Sequence, residues 1–267
     1  MSAYTLRVFT WLAAAGATAW LAATPAQAQL VAAGESGVVM GHVHVRASDV
    51  QAQKAFWAQL GGVEVSNGGL QMVRFPGVFI VLEQGTLSGG TIGSIMNHVG
   101  FNVKRMGDWL PRWREANIPM ETPRPTQTYL MGPDSMRVEI LEDTAQALPL
   151  RFHHLHYNQG APLEIQDWYA RVFGAVKGRR LNFDAADLPG VNLTFSSSPN
   201  PVVGTAGRVI DMVGFEVVGL EAFVRRVEAS GVRFERGYQR MSGSRLATAL
   251  LVDPWGTRIQ LTEGITP

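Results

Sequence analysis

Four short stretches of the chain alternate apolar and polar residues with the period of a strand: His42–Arg46, His98–Lys104, His154–Asn158 and Met212–Val217. Side chains two apart on a strand share a face. Val43 and Val45 therefore oppose His42, His44 and Arg46, while Val99, Phe101 and Val103 oppose His98, Gly100 and Asn102. Each stretch is followed by a segment of helical length. Asp49 is placed to cap a helix over Val50–Leu60 that Gly61-Gly62 ends, and Asp108 to cap one over Trp109–Ala116. Pro162 suits the first turn of a helix running to Phe173 and ended by Gly174, and Leu220–Ala229 is stopped by Ser230-Gly231. After each helix come two or three more strands, such as Gly77–Gln84, Ser135–Glu142, Val191–Ser196 and Thr257–Glu263.

The pattern repeats. Gly41-His42-Val43-His44-Val45 returns as His153-His154-Leu155-His156-Tyr157, Pro76-Gly77-Val78 as Pro189-Gly190-Val191, and Asn97-His98-Val99-Gly100-Phe101 as Asp211-Met212-Val213-Gly214-Phe215. Pro133–Glu139 returns as Pro254–Gln260. Four matches in order at nearly constant spacing make the chain a duplication. Each half divides again into strand–helix–strands units of roughly 55 residues, too few to bury a core alone, so units must pack in pairs. The expected class is α+β: paired strand–helix–strands modules, four in all, in domains over residues 29–145 and 150–267. Asp143–Pro149 is the expected joint between halves; Gly85–Ser94 and Ser197–Gly207 join units within each half.

Residues 1–28 read as an address. Arg7 gives a positive start, Val8–Ala23 is mostly apolar, Thr24-Pro25 breaks the run, and Ala26-Gln27-Ala28 offers a small-x-small cleavage site before Gln29. The run is short for a span of ~20 residues, so cleavage and a periplasmic or secreted product without a membrane anchor are expected. The composition (46% hydrophobic, 17% charged) supports a buried core. With 23 Lys and Arg against 22 Asp and Glu there is no basic field to hold nucleic acid, so a small molecule is the expected partner. The absence of cysteine removes disulfides, thiolate metal sites and cysteine nucleophiles together.

Six histidines remain, and all lie on the repeated strands. On Met136–Glu142, Val138 and Ile140 form the apolar face and Arg137 and Glu139 the other. His42, His98 and Glu139 are thereby expected on the sheet face away from the helices. Two imidazoles and one carboxylate with open positions suit Fe(II) or Mn(II), and can also serve Zn(II) or Ni(II). The second half carries His154, Met212 and Gln260 at the matching positions, so a second complete site is not expected there.

These residues resemble the vicinal oxygen chelate superfamily, which includes glyoxalase I, extradiol dioxygenases and bleomycin-resistance proteins. The carriers span most of Met40 to Gly264: the His42 strand with Phe56-Trp57 and Leu60-Gly61-Gly62, Asn97–Phe101, Gly132-Pro133-Asp134 with Arg137–Ile140, and Asp253–Gly256 with Arg258–Leu261. The resemblance implies paired βαβββ units around a metal-centred cup, with His42, His98 and Glu139 as ligands. Pairing of adjacent units joins His42 to His98 and Glu139; pairing of inner units puts His154 there instead. Tyr129, Pro133 and Glu139 fit the dioxygenase spacing, which implies that Tyr129 bonds a metal-bound oxygen. No histidine occurs at Met120–Thr122, and His44 is the candidate to handle the proton in its place. Glu83 matches a fourth glyoxalase-type ligand, though it shares a strand face with Phe79 and Val81. A dioxygenase is the first expectation, a glyoxalase-type isomerase or lyase the second, and a bleomycin-resistance-like binding protein the third.

Overall fold

Residues 30–267 are described by a computed structural model; the leader expected over residues 1–28 lies outside them. Helix α1 (Val50–Gln59) starts where Asp49 turns its carboxylate back to accept the N–H groups of Gln51 and Ala52 at 2.8 and 3.1 Å. Helix α2 (Leu110–Glu115) is shorter than expected. Asp108 does not cap it but pairs with Arg105 at 2.9 Å, and Pro111 occupies the first turn. Helix α3 (Pro162–Phe173) opens on its proline and closes at Gly174, whose φ of 72° is the left-handed conformation that glycine adopts most readily. Helix α4 (Leu220–Ala229) ends at Ser230.

The strands form two mixed sheets. One, the outer sheet, runs in the order β13 (Phe234–Arg240), β14 (Ala247–Val252), β15 (Arg258–Glu263), β12 (Ile210–Val217), β1 (Val38–Ala47), β4 (Val78–Gln84), β3 (Leu70–Phe75), β2 (Val63–Asn67). The other, the inner sheet, runs β6 (Gln127–Gly132), β7 (Met136–Glu142), β5 (Met96–Val103), β8 (Leu150–Asn158), β11 (Val191–Ser196), β10 (Phe183–Leu188), β9 (Val176–Arg180). The first and last units thus share the outer sheet, and the second and third share the inner one. Each sheet has an antiparallel seam at its centre, β1 against β12 and β5 against β8. Both sheets draw on both halves of the sequence. Asp143–Pro149 turns the chain back within one sheet, whereas Gly85–Ser94 and Ser197–Gly207 carry it from one sheet to the other.

A single apolar core runs along the helix-bearing faces of both sheets. Phe75 of the outer sheet meets Phe101 of the inner at 4.9 Å between centroids, and Phe101 meets Phe152 at 5.2 Å. Phe173 of α3 packs on Phe215 at 5.1 Å. Burial of each such ring contributes about 1.5–3 kcal/mol, which fixes both sheets against one another through their apolar sides. The polar faces then point away from this core. No described helix is long and apolar enough to cross a membrane.

Candidate metal centre

The seam of each sheet sets a histidine against a glycine: His42 opposite Gly214 in the outer sheet, His154 opposite Gly100 in the inner. A Cβ added to either glycine would fall within the facing imidazole ring. The two seams build the same notch, but their surroundings differ.

In the outer sheet, His42 is wholly buried and its Nε2 lies 2.8 Å from Gln260 Oε1. His44 Nε2 lies 2.8 Å from Glu83 Oε2. Phe79 and Val81, next to these histidines on β4, pack with Met72, Leu246 and Ile265 into a small apolar cluster. His42 and His44 therefore lie beside an apolar cluster, apart from His98, Tyr129 and Glu139, because the first unit pairs with the fourth. Glu83 is occupied by His44 at the edge of that same sheet.

The inner sheet brings His98, Glu139 and Tyr129 together and adds His154 and His156. His98 Nε2 lies 3.4 Å and His154 Nε2 2.9 Å from Glu139 Oε2. Both ring nitrogens thus close on one carboxylate oxygen. Glu139 Oε1 instead accepts from the Tyr129 hydroxyl at 2.7 Å and from the Gln127 amide. The His98 and His156 rings lie 4.5 Å apart, and one ring nitrogen from each of His98, His154 and His156 falls within 4.8 Å of the others.

Neighbouring groups set which nitrogen of the His98 and His156 rings carries the proton. His98 Nδ1 sits 2.8 Å from Asn97 Oδ1, an oxygen that also accepts from Arg137 Nη1 at 3.2 Å. An amide oxygen only accepts, so His98 Nδ1 donates and Nε2 presents a lone pair. The Ser196 hydroxyl donates to Asn158 Oδ1 at 2.5 Å and therefore accepts from His156 Nε2 at 2.9 Å, leaving His156 Nδ1 as the lone pair. His154 Nδ1 meets His153 Nδ1 at 2.9 Å, a contact that fits a proton on either ring, and His154 Nε2 faces Glu139 Oε2 at 2.9 Å. His98 Nε2, His154 Nε2 and His156 Nδ1 are buried and none makes a well-aligned hydrogen bond. Each such group costs about 1–3 kcal/mol, so three in one place call for a partner that the chain does not supply. A metal ion would fit as that partner beside His98 and His154.

The electrostatics agree. Burial, more than any other influence, pushes His98 and His154 below the ordinary imidazole pKa, and it brings His156 down to about 3 with the neighbouring His98 adding to the effect. Burial alone would raise Glu139; the nearby His154 and His98 overcome it and hold the carboxyl below the usual carboxylate range. Neutral imidazoles beside an ionised carboxylate are the protonation states in which these side chains ligate a cation. Tyr129 is pushed above the ordinary phenol value, by burial first and then by Glu139, and stays a donor. Arg137 lies 3.5 Å over the Tyr129 ring and reaches Glu121 at 2.8 Å, which holds the phenol in place. A cavity of about 480 Å³ opens beside this cluster, with Tyr129, Glu139, His156, Arg180 and Phe183 in its wall.

Residues 151–261 match the family model described as the Glyoxalase/Bleomycin resistance protein/Dioxygenase superfamily. Glyoxalase I from Zea mays superposes with a TM-score of 0.65 over 85% of this chain and 92% of that one, at 14% identity. A putative dioxygenase from Bacillus subtilis gives 0.65 over 86% of each chain, at 16% identity. The chain has the vicinal oxygen chelate fold. No curated protein sequence matches it significantly. Within that fold it follows the inner-with-inner and outer-with-outer pairing of units.

His154 and His156 enter the vicinal oxygen chelate cup in the places that the sequence reading gave to His42 and His44. A signal for this exists in the sequence. Beside His42 and His44 the adjacent strand carries Phe79 and Val81, bulky and apolar; beside His154 and His156 it carries Asn192 and Thr194. Smaller polar neighbours leave a cup open, and bulky apolar ones fill it.

Proposed function

We propose that the protein holds one divalent metal ion through His98, His154 and Glu139 and uses it in dioxygenase-like chemistry on a small molecule. The observation that carries this reading is the convergence of buried imidazole nitrogens on one ionised carboxylate. Two imidazoles and a carboxylate favour Fe(II) or Mn(II), with Zn(II) and Ni(II) as poorer matches to the intended chemistry. Bound there, the metal supplies open positions at which a substrate and dioxygen can meet. The chain's own groups do the rest. His156 lines the cavity while His98 and His154 stand behind it, so the neutral His156 is placed to accept a substrate proton at Nδ1. Tyr129 orients Glu139 and keeps one of its oxygens from turning away. Phe183 and Leu141 line the space around these groups.

The isomerase reading is less well supported because the position equivalent to Glu83 on β4 is Ser196 on β11. Both contact the second histidine of their strand, His44 and His156 respectively. A fourth, proton-moving carboxylate is thus replaced by a hydroxyl.

Elemental analysis of the purified protein tests the site. About one metal ion per chain is expected, lost in His98→Ala, His154→Ala and Glu139→Ala and retained in His42→Ala. Oxygen uptake with catechols, against turnover of hemithioacetals, then separates the two chemistries. A wild-type protein that takes up no metal would leave only a binding protein of the bleomycin-resistance kind.

The same reading takes the protein as exported, supported by the Arg7 start, the apolar run and the Ala26-Gln27-Ala28 site. Amino-terminal sequencing of the periplasmic product should begin at Gln29; an intact leader on a membrane-bound product would count against it.

A further inference from the structure

The tip joining β9 to β10 hangs over the metal cup. Arg180 pairs with Phe183 across a two-residue loop of Leu181 and Asn182. Such tight loops favour glycine where φ is positive. Here Leu181 holds a φ of 53° with 82% of its surface exposed, a large apolar side chain in a conformation and a place that suit neither. Turn formation alone does not explain it. An outlier of this kind beside a cavity points to a use in binding.

Arg180 supplies the second observation. Its side chain is mostly buried, with Nη2 3.5 Å from Glu139 Oε2 and Nη1 3.4 Å from Thr194 Oγ1. These are long contacts for a guanidinium, which has five donors and forms its strongest bonds as a fork on an oxyanion. Arg179 holds the hairpin from its far side, through Asp184 at 3.0 Å and the Asn182 carbonyl at 2.9 Å, and so leaves Arg180 directed to the cup.

The charge balance follows from the proposed metal site, on which this inference rests. A divalent cation, the Glu139 carboxylate and Arg180 together leave two positive charges in a buried space. A neutral ligand would leave both uncompensated. An oxyanion at the metal removes one, and a second acidic group on the ligand would remove the other.

From this we infer that the β9–β10 hairpin is the specificity element of the cup: Arg180 binds an acidic group on the substrate, and Leu181 and Phe183 cover the substrate's flat apolar body. The substrate class is an aromatic acid that also carries an oxygen able to bind the metal.

The test is calorimetric and needs no turnover. Wild-type protein, Arg180→Gln and Leu181→Ser are titrated with 3,4-dihydroxybenzoate and with catechol, each with Mn(II) present and after its removal by a chelator. In wild type the acid should bind about tenfold more tightly than catechol. Arg180→Gln should abolish that preference by weakening the acid, with catechol bound no more weakly than in wild type. Leu181→Ser should weaken both ligands together. A wild type without acid preference in either state, or an Arg180→Gln protein that keeps it, overturns the inference. Manganese content measured on the same samples reports on the metal site separately, so failure of one reading is distinguishable from failure of the other.

Discussion

Gly100 leaves the space that the His154 imidazole fills, and the two residues face each other across the seam between β5 and β8. The His154 imidazole is thus positioned by the absence of a side chain on the neighbouring strand. Gly214 serves His42 in the same way in the other sheet.

Replacing Gly100 by alanine should displace the His154 ring and cost about 1–3 kcal/mol of stability, the usual penalty for overfilling a packed site. Gly214→Ala should cost a similar amount. Only Gly100→Ala should also reduce metal content, because the His42 ring lies outside the cup. Thermal unfolding and elemental analysis of the two variants make the comparison, and equal metal loss in both would contradict the assignment of His154.

His156→Ala should keep its metal and lose about 10²–10⁴-fold in turnover, the range for removal of a general base. Metal content and steady-state rates on the same preparation test the two halves of the statement. If the ion leaves with the imidazole, His156 is a ligand and not a base.

His42 makes the stability sensitive to acid. Its burial, helped by His44, lowers its pKa from 6.5 to about 3, against a hydrogen bond that its Nε2–H donates to Gln260 Oε1 and that favours the charged form. The folded protein therefore binds this proton less readily than the unfolded chain does. The contribution is complete above pH 6.5 and falls away as the pH drops towards 3, by up to about 1.4 kcal/mol per pH unit. Urea unfolding of wild type and His42→Gln at pH 7, 5.5 and 4 should show the variant losing less stability over that range. Parallel losses in the two proteins would refute the assignment.

Much of the fold was legible in the amino-acid order. The period-two strands, the Asp49 cap, the Pro162 start and the Gly174 stop all reflect local chemistry, and each lies where the local rules put it. His98, Glu139 and Tyr129 were also readable as neighbours, since β5, β6 and β7 belong to one unit. The pairing of units was not. Gly100 can receive either His42 or His154, and Gly214 can receive either as well, so the seam residues fit both arrangements equally. What separates them lies one strand further on, in Phe79 and Val81 against Asn192 and Thr194, where side-chain bulk decides which cup stays open. Asp108 misled for another reason: Arg105, three residues before it, offers a charged partner that outcompetes the helix end.

The nesting of one sheet within the other has a consequence for biogenesis. β5 and β8 are close in sequence, so the inner sheet can assemble as soon as its strands leave the ribosome. β1 emerges first of all but waits for β12, with a bare edge able to pair with other chains in the meantime. Pulsed hydrogen exchange during refolding should find amides of β5 and β8 protected before those of β1; early protection of β1 would mean that it finds a temporary partner instead.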